Sequence, residues 1–144
     1  MELNIIKDYT PHTGLRYCTI SENSGEDFYH KKLNPLFKQA LENKEHLILY
    51  FENLPEEGFS PSFVDEAIGN LVYDFTADIV TKYLEAKSTI APHVIYQIKY
   101  STIPKWEKRR KEGIAPKKTI EHEAWYKIIN GKIESKVWIH SSND

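Results

Sequence analysis

The most continuous apolar segment of the chain is Leu47-Ile48-Leu49-Tyr50-Phe51. With almost no alternation from His46 to about Leu54, it reads as a central strand covered on both faces. A turn-rich link, Pro55-Glu56-Glu57-Gly58, follows it. From Ser62 the pattern changes period: Phe63, Val64, Ala67, Ile68, Leu71, Val72 and Phe75 form one broad helical stripe. Ser62, Glu66, Asn70 and Tyr73 fall on the other side, which reads as a solvent face. Strand, loop and amphipathic helix in that order are a unit of an open α/β sheet, and the loop beyond such a strand is where ligands and partners sit.

Flanking patterns predict the remaining elements. Leu3–Ile6 and Leu15–Ile20 read as short strands joined through the turn at residues 10–14, a candidate hairpin. Ser24 is an expected N-cap with Asp27 three positions on, and helical spacing then runs through Tyr29, Leu33, Leu36, Phe37, Ala40 and Leu41 to about Asn43. Pro35 interrupts that helix, which either kinks or restarts with Asn34 as cap. A helix over Ala77–Ala86, a strand over Val94–Tyr100 and a basic helix over Lys105–Glu112, ended by Gly113, come next. Asn130-Gly131 is a strong signal for a two-residue hairpin turn. Its register sets Lys127 opposite Glu134 and Ile128 opposite Ile133. One face then carries His122, Ala124, Tyr126, Ile128, Ile133, Val137 and Ile139 and needs covering. The other carries Trp125 and Trp138 among charges, and a tryptophan left partly exposed there makes the hairpin a candidate homodimer surface.

At 144 residues the chain is long enough for a single domain with its own core. A net charge of −2 and a pI near 6.3 argue against general attraction to nucleic acid. One cysteine, Cys18, forms no internal disulfide framework. No stretch is apolar enough to span a bilayer and the N-terminus has no signal-peptide pattern, so a cytoplasmic location is expected. The six histidines show no two-ligand helical spacing, and Glu121-His122-Glu123 alternates as a strand would. No metal site and no cofactor is therefore expected from spacing. Cys18 with a distant histidine is thin as a nucleophile pair, and a buried strand cysteine is the commoner case.

Several of these residues recur as blocks: Gly14-Leu15-Arg16, Ser24-Gly25-Glu26-Asp27-Phe28, Pro35-Leu36, and Ser62-Phe63-Val64-Asp65-Glu66-Ala67-Ile68-Gly69-Asn70-Leu71. In this order and at these spacings they resemble the STAS-like domain family of unknown function, found in bacteria. The likeness covers roughly residues 14–100. It implies a fold similar to sulfate-transporter and anti-sigma-factor-antagonist domains: one α/β domain over residues 1–144, a mixed central sheet with helices mainly on one face. Here residues 101–118 would add the basic helix and a linker, and 119–140 a C-terminal β-hairpin extension. Relatives in that superfamily bind protein partners, often histidine-kinase-like ATPases, and some are phosphorylated where the helix after the central strand begins. This chain departs from them there. Phe59-Ser60-Pro61-Ser62-Phe63 stands where an Asp-Ser-Ser-Gly loop would be expected.

The resulting expectation is a non-enzymatic interaction or regulatory module that docks its partner through residues 55–70, with Ser60, Ser62, Glu66 and Asn70 as polar contacts. Ser62 is the candidate phosphoacceptor, since a dianion at a helix N-terminus is favourable. The same serine read structurally is a helix cap with Asp65 completing a capping box. The alternative function uses the cluster at 105–118, with Lys105, Lys108, Arg109 and Arg110 on a phosphate backbone and Trp106 interleaved. The competing reading of that cluster is a solvated helix face with Trp106 inward. A third reading, a metal-dependent hydrolase, starts from Glu134-Ser135-Lys136, whose upstream acidic partner is not identifiable.

Overall fold

A computed structural model describes residues 1–55 and 58–138. Glu56 and Glu57 of the turn-rich link, Ile139 of the apolar hairpin face and His140 lie outside the described residues. The chain begins with β1 (Glu2–Asn4) and α1 (Ile5–Asp8). One long helix follows, made of α2 (Gly25–Phe28), a π-helical segment (Tyr29–Leu33) and α3 (Asn34–Glu42). Then come β2 (Leu47–Tyr50), α4 (Pro61–Phe75), α5 (Ala77–Tyr83) and β3 (Leu84–Lys87). A second long helix comprises α6 (Pro92–Gln97), a π segment (Ile98–Thr102) and α7 (Ile103–Glu112). An antiparallel pair, β4 (Trp125–Ile129) and β5 (Lys132–Lys136), ends the described chain.

The sheet has order β1-β2-β3 and is parallel throughout, so the antiparallel pairing belongs to the separate hairpin. Register aligns Leu3, Leu49 and Ala86, and beside them Leu47 and Leu84, on the face that meets the helices. The other face carries Glu2, Ile48 and Glu85, then Asn4, Tyr50 and Lys87. No helix covers it. Ile48 and Tyr50 are half-buried by long charged neighbours, with the Tyr50 hydroxyl donating to Glu2 at 2.8 Å. The expectation of a strand buried on both faces is corrected by this one-sided sheet. A run without alternation hides which half of its residues is shielded by side chains alone.

Both long helices use the same device. Proline cannot donate to the carbonyl four residues back, and its ring crowds that carbonyl. Just before Pro35 and Pro104 the ladder widens by one residue: the Asn34 N–H bonds Tyr29 O, and the Ile103 N–H bonds Ile98 O. The helix therefore neither breaks at Pro35 nor restarts from an Asn34 side-chain cap. The strand expected over Val94–Tyr100 is helix instead, because Val94, Ile98, Thr102 and Trp106, four apart, bury one stripe. Similarly, Leu84–Lys87, expected as a helix end, pairs with β2. The segment around Leu15–Ile20 is an irregular loop, so the first hairpin does not form.

Helix α4 is the centre of the molecule. It packs against α2 and the following π segment, α5, α6, α7 and β4, and is buried nearly all round. Two glycines make these approaches close: a Cβ on Gly25 would lie 2.5 Å from Phe63 O, and one on Gly69 only 2.0 Å from the Trp106 ring. Trp106 is fully buried, with the Arg109 guanidinium 4.1 Å from its ring centre. The hairpin turn has positive φ at Asn130 (52°) and Gly131 (78°), the type I′ geometry. Its register matches expectation, but the faces are reversed: Trp125 and Lys127 point inward and Val137 outward. Trp138 remains half-buried, its indole N–H donating to Trp125 O at 2.9 Å. No helix among the described residues is long and apolar enough to cross a membrane.

Candidate functional site

The N-terminus of α4 is set by Ser60, whose hydroxyl accepts from the Ser62 N–H at 3.2 Å, with Pro61 in the first turn. Ser60, not Ser62, is thus the cap, and Asp65 is no capping-box partner. Proline in the first turn explains the shift by two residues: its missing N–H is one the helix start leaves unpaired anyway. Ser62 sits half-exposed, its hydroxyl 2.8 Å from that of Ser60. It borders a groove of 490 Å³ formed by Arg16, Pro61, Ser62, Asp65, Gln97, Ser101 and Lys105. Gln97 ties the groove's two sides together by donating to Pro61 O at 2.9 Å.

Beneath the groove the polar side of α4 is not a solvent face. Glu66 is 1% exposed and Asn70 0%. The reading of these two as surface contacts is corrected: α7, the segment at 113–124 and the hairpin cover the side that hydropathy alone leaves open. Arg16 donates to Asp65 at 2.7 Å and to Glu66 at 3.0 Å, and Lys105 reaches Asp65 at 2.8 Å. Thr102 adds a hydrogen bond to Asp65 at 3.1 Å. Asn70 donates to Glu66 at 2.8 Å and accepts from the Lys118 ammonium. One turn further, Asp74 accepts from the Tyr29 hydroxyl, and the Lys127 ammonium stands 3.6 Å away. Asn34 links this network to the hairpin, donating to Tyr126 O and accepting from Tyr126 N, both at 3.0 Å.

Burial and pairing pull these groups in opposite directions. Burial opposes ionisation of Asp65, yet Lys105 and Arg16 outweigh it and hold its carboxyl below the usual range. For Glu66 burial wins over Arg16 and Asn70, and for Asp74 it wins over Lys118 and Lys127, so both are raised. Burial likewise lowers Lys118 despite Asp74, Glu66 and Glu26 around it.

A second cluster surrounds Glu26, which is fully buried at the start of α2. The Ser24 hydroxyl caps that helix through the Asp27 N–H at 3.1 Å, as the sequence predicts. Glu26 then accepts from the N–H groups of Cys18 and Thr119, at 3.1 and 2.9 Å. It also accepts from the Thr119 hydroxyl and pairs with His122 Nε2, both at 2.6 Å. Burial works against its charge, but these bonds, His122 first, bring its pKa down to about 2. The His30 ring stacks on His122 with centroids 3.7 Å apart.

Of the basic cluster, Lys105 is engaged by Asp65, Arg110 by Glu107 at 2.7 Å and Arg109 by the Trp106 face, while Lys108 is exposed. Glu134 stands opposite Lys127 across the hairpin. Sequence reasoning missed Lys118, Thr119, His122 and Asp74 because their partners lie 45–96 positions away. Arg16 and the Ser24-Gly25-Glu26 turn gave a signal only as blocks of the family resemblance.

This architecture, a parallel sheet with a buried helix after its central strand, defines an α/β domain of the STAS type. Residues 24–92, from the cap of α2 to the start of α6, match the family described as the STAS-like domain of unknown function. No curated protein and no solved structure matches the chain. The matched stretch starts later and ends earlier than the resemblance at 14–100. Arg16, Lys105, Lys118 and His122 are thus supplied from outside it.

Proposed function

We propose that the protein is a non-enzymatic interaction module that docks a regulatory partner at the groove beside the start of α4. The carrying observation is the half-exposed Ser62 hydroxyl at the head of a 15-residue helix, in a groove that also holds Arg16 and Lys105. The positive end of the α4 dipole and two cations favour an anionic or hydrogen-bonding partner group. Ser60 and Ser62 are its polar contacts, whereas Glu66 and Asn70 act from below by fixing Arg16. The partner of the histidine-kinase-like ATPase type and Ser62 as phosphoacceptor are carried over from the wider superfamily that the sequence resembles. A phosphate there would exchange Asp65 for itself as the counterion of Lys105.

The test is affinity capture from native lysate, read by mass spectrometry, with wild type, Ser62→Arg and Lys105→Glu. An ATPase captured by wild type and lost in both variants is expected. Retention of every partner by both variants overturns the docking surface. The cluster at 105–118 gives no comparable support for nucleic acid binding, because Arg110 is engaged by Glu107, Arg109 by the Trp106 face, and Lys105 faces the groove beside Asp65.

A further inference from the structure

Three side chains that share no sequence motif meet at one point. Cys18 comes from the loop before α2, Glu26 from the first turn of α2, and His122 from the irregular segment before β4. Their ligand atoms, one sulfur, one carboxylate oxygen and one imidazole nitrogen, all lie within 4.8 Å of one another. We propose that Cys18, Glu26 and His122 form a transition-metal site, suited to Zn²⁺, that clips these three segments together.

The donor set selects the ion. Thiolate with imidazole excludes hard cations such as Mg²⁺ and Ca²⁺ and suits Zn²⁺, which also accepts a carboxylate. Tetrahedral bonds of about 2.0–2.3 Å put ligand atoms roughly 3.3–3.7 Å apart. The His122–Glu26 contact of 2.6 Å must therefore open by under ~1 Å, and the sulfur, within 4.8 Å of both partners, move inward by at most ~1.5 Å. Cys18 also lines a cavity of 310 Å³ with Ser21, Asn23 and Asp27, which leaves the fourth position to water. The Ser24 hydroxyl is within 3.4 Å of the sulfur and holds it toward Glu26.

Charge supports the assignment. Glu26 is fully buried, and His122 is its one ion-pair partner among the described residues. A divalent ion with one carboxylate and one thiolate makes a neutral buried unit, the arrangement that burial of charge demands. On binding, the thiol proton leaves to solvent and His122 ligates through the Nε2 lone pair. A thiol must lose its proton to ligate, so the site takes its ion with proton release, more tightly as pH rises. Glu26 keeps its remaining bonds to the Cys18 and Thr119 N–H groups, which aim the carboxylate.

Untagged protein stripped with EDTA and titrated with Co²⁺ tests this. One equivalent should produce a thiolate-to-cobalt charge-transfer band in the near ultraviolet, with tetrahedral visible absorption, and Zn²⁺ should bleach both. Cys18→Ser should abolish the band while keeping the circular dichroism of wild type. His122→Gln should weaken Zn²⁺ by more than the roughly 10–100-fold that loss of a supporting partner costs. His93→Gln, an exposed histidine, should change nothing. No band in wild type, or an undiminished band in Cys18→Ser, overturns the site.

Discussion

Glu66 and Asn70 have the spacing of surface residues and the burial of core residues. Their polarity was legible in the sequence; their depth was not, because it is created by residues 102–127, far along the chain. Placing a cation at 66 sets it against Arg16 and near Lys118. Glu66→Arg should thus cost about 3–5 kcal/mol, the scale for stranding a buried charge, read as a drop in the urea midpoint. Asp65 gives a pH signature. Its folded pKa is depressed below the ordinary 3.8, so its contribution is present above that value and is lost as pH falls through the folded pKa. Asp65→Asn should therefore be destabilising by about 2–3 kcal/mol at pH 7, with the gap to wild type closing below about pH 4 in matched denaturant titrations. Glu66 and Asp74 run the other way. Their raised pKa values favour the fold at low pH, and that contribution is lost as pH rises through the folded values.

Element by element, the sequence was most readable where one local rule dominated. Asn130-Gly131 announced its turn, Gly113 its helix end and Ser24 its cap, and all three take those roles. Gly131→Val, forced to positive φ, should cost about 1–2 kcal/mol. A thermal melt should show it, with the strand-pairing shifts of Lys127 and Glu134 weakened in NMR. Local reading failed where packing overrode propensity. Val94-Ile95-Tyr96 is β-prone but helical, and Leu84-Glu85-Ala86-Lys87 is helix-prone but a strand. The α4–α7 contact was equally silent, since nothing near Gly69 predicts Trp106. A methyl group there has no room, so Gly69→Ala should cost about 2 kcal/mol or more despite its better helix propensity. Trp106 fluorescence should shift to the red in that variant if the indole is displaced toward water.

At the scale of the molecule, the fold class and family were visible in the strand–loop–helix block, while the site was divided between that block and its flanks. Residues 24–92 supply Glu26, Asp65, Glu66, Asn70 and Asp74; Arg16, Cys18, Lys105, Lys118, Thr119, Lys127 and His122 come from either side. The parts should consequently unfold as one. Far-ultraviolet circular dichroism and the fluorescence of Trp106 and Trp125 are expected to give coincident urea transitions. Separated transitions would show that the C-terminal cover is an independent layer.

The cover over α4 has a consequence for the nascent chain. Translation delivers the central helix with its carboxylates well before Lys118, His122 and Lys127 leave the ribosome. At about 5–20 residues per second, that interval lasts several seconds. Through it, the fold's most buried helix presents a line of carboxyl groups to water, with Arg16 as the cation already available to Asp65 and Glu66. Such a half-made domain gains little by collapsing early, so the commitment to fold waits for the segment that carries Lys118, His122 and Lys127.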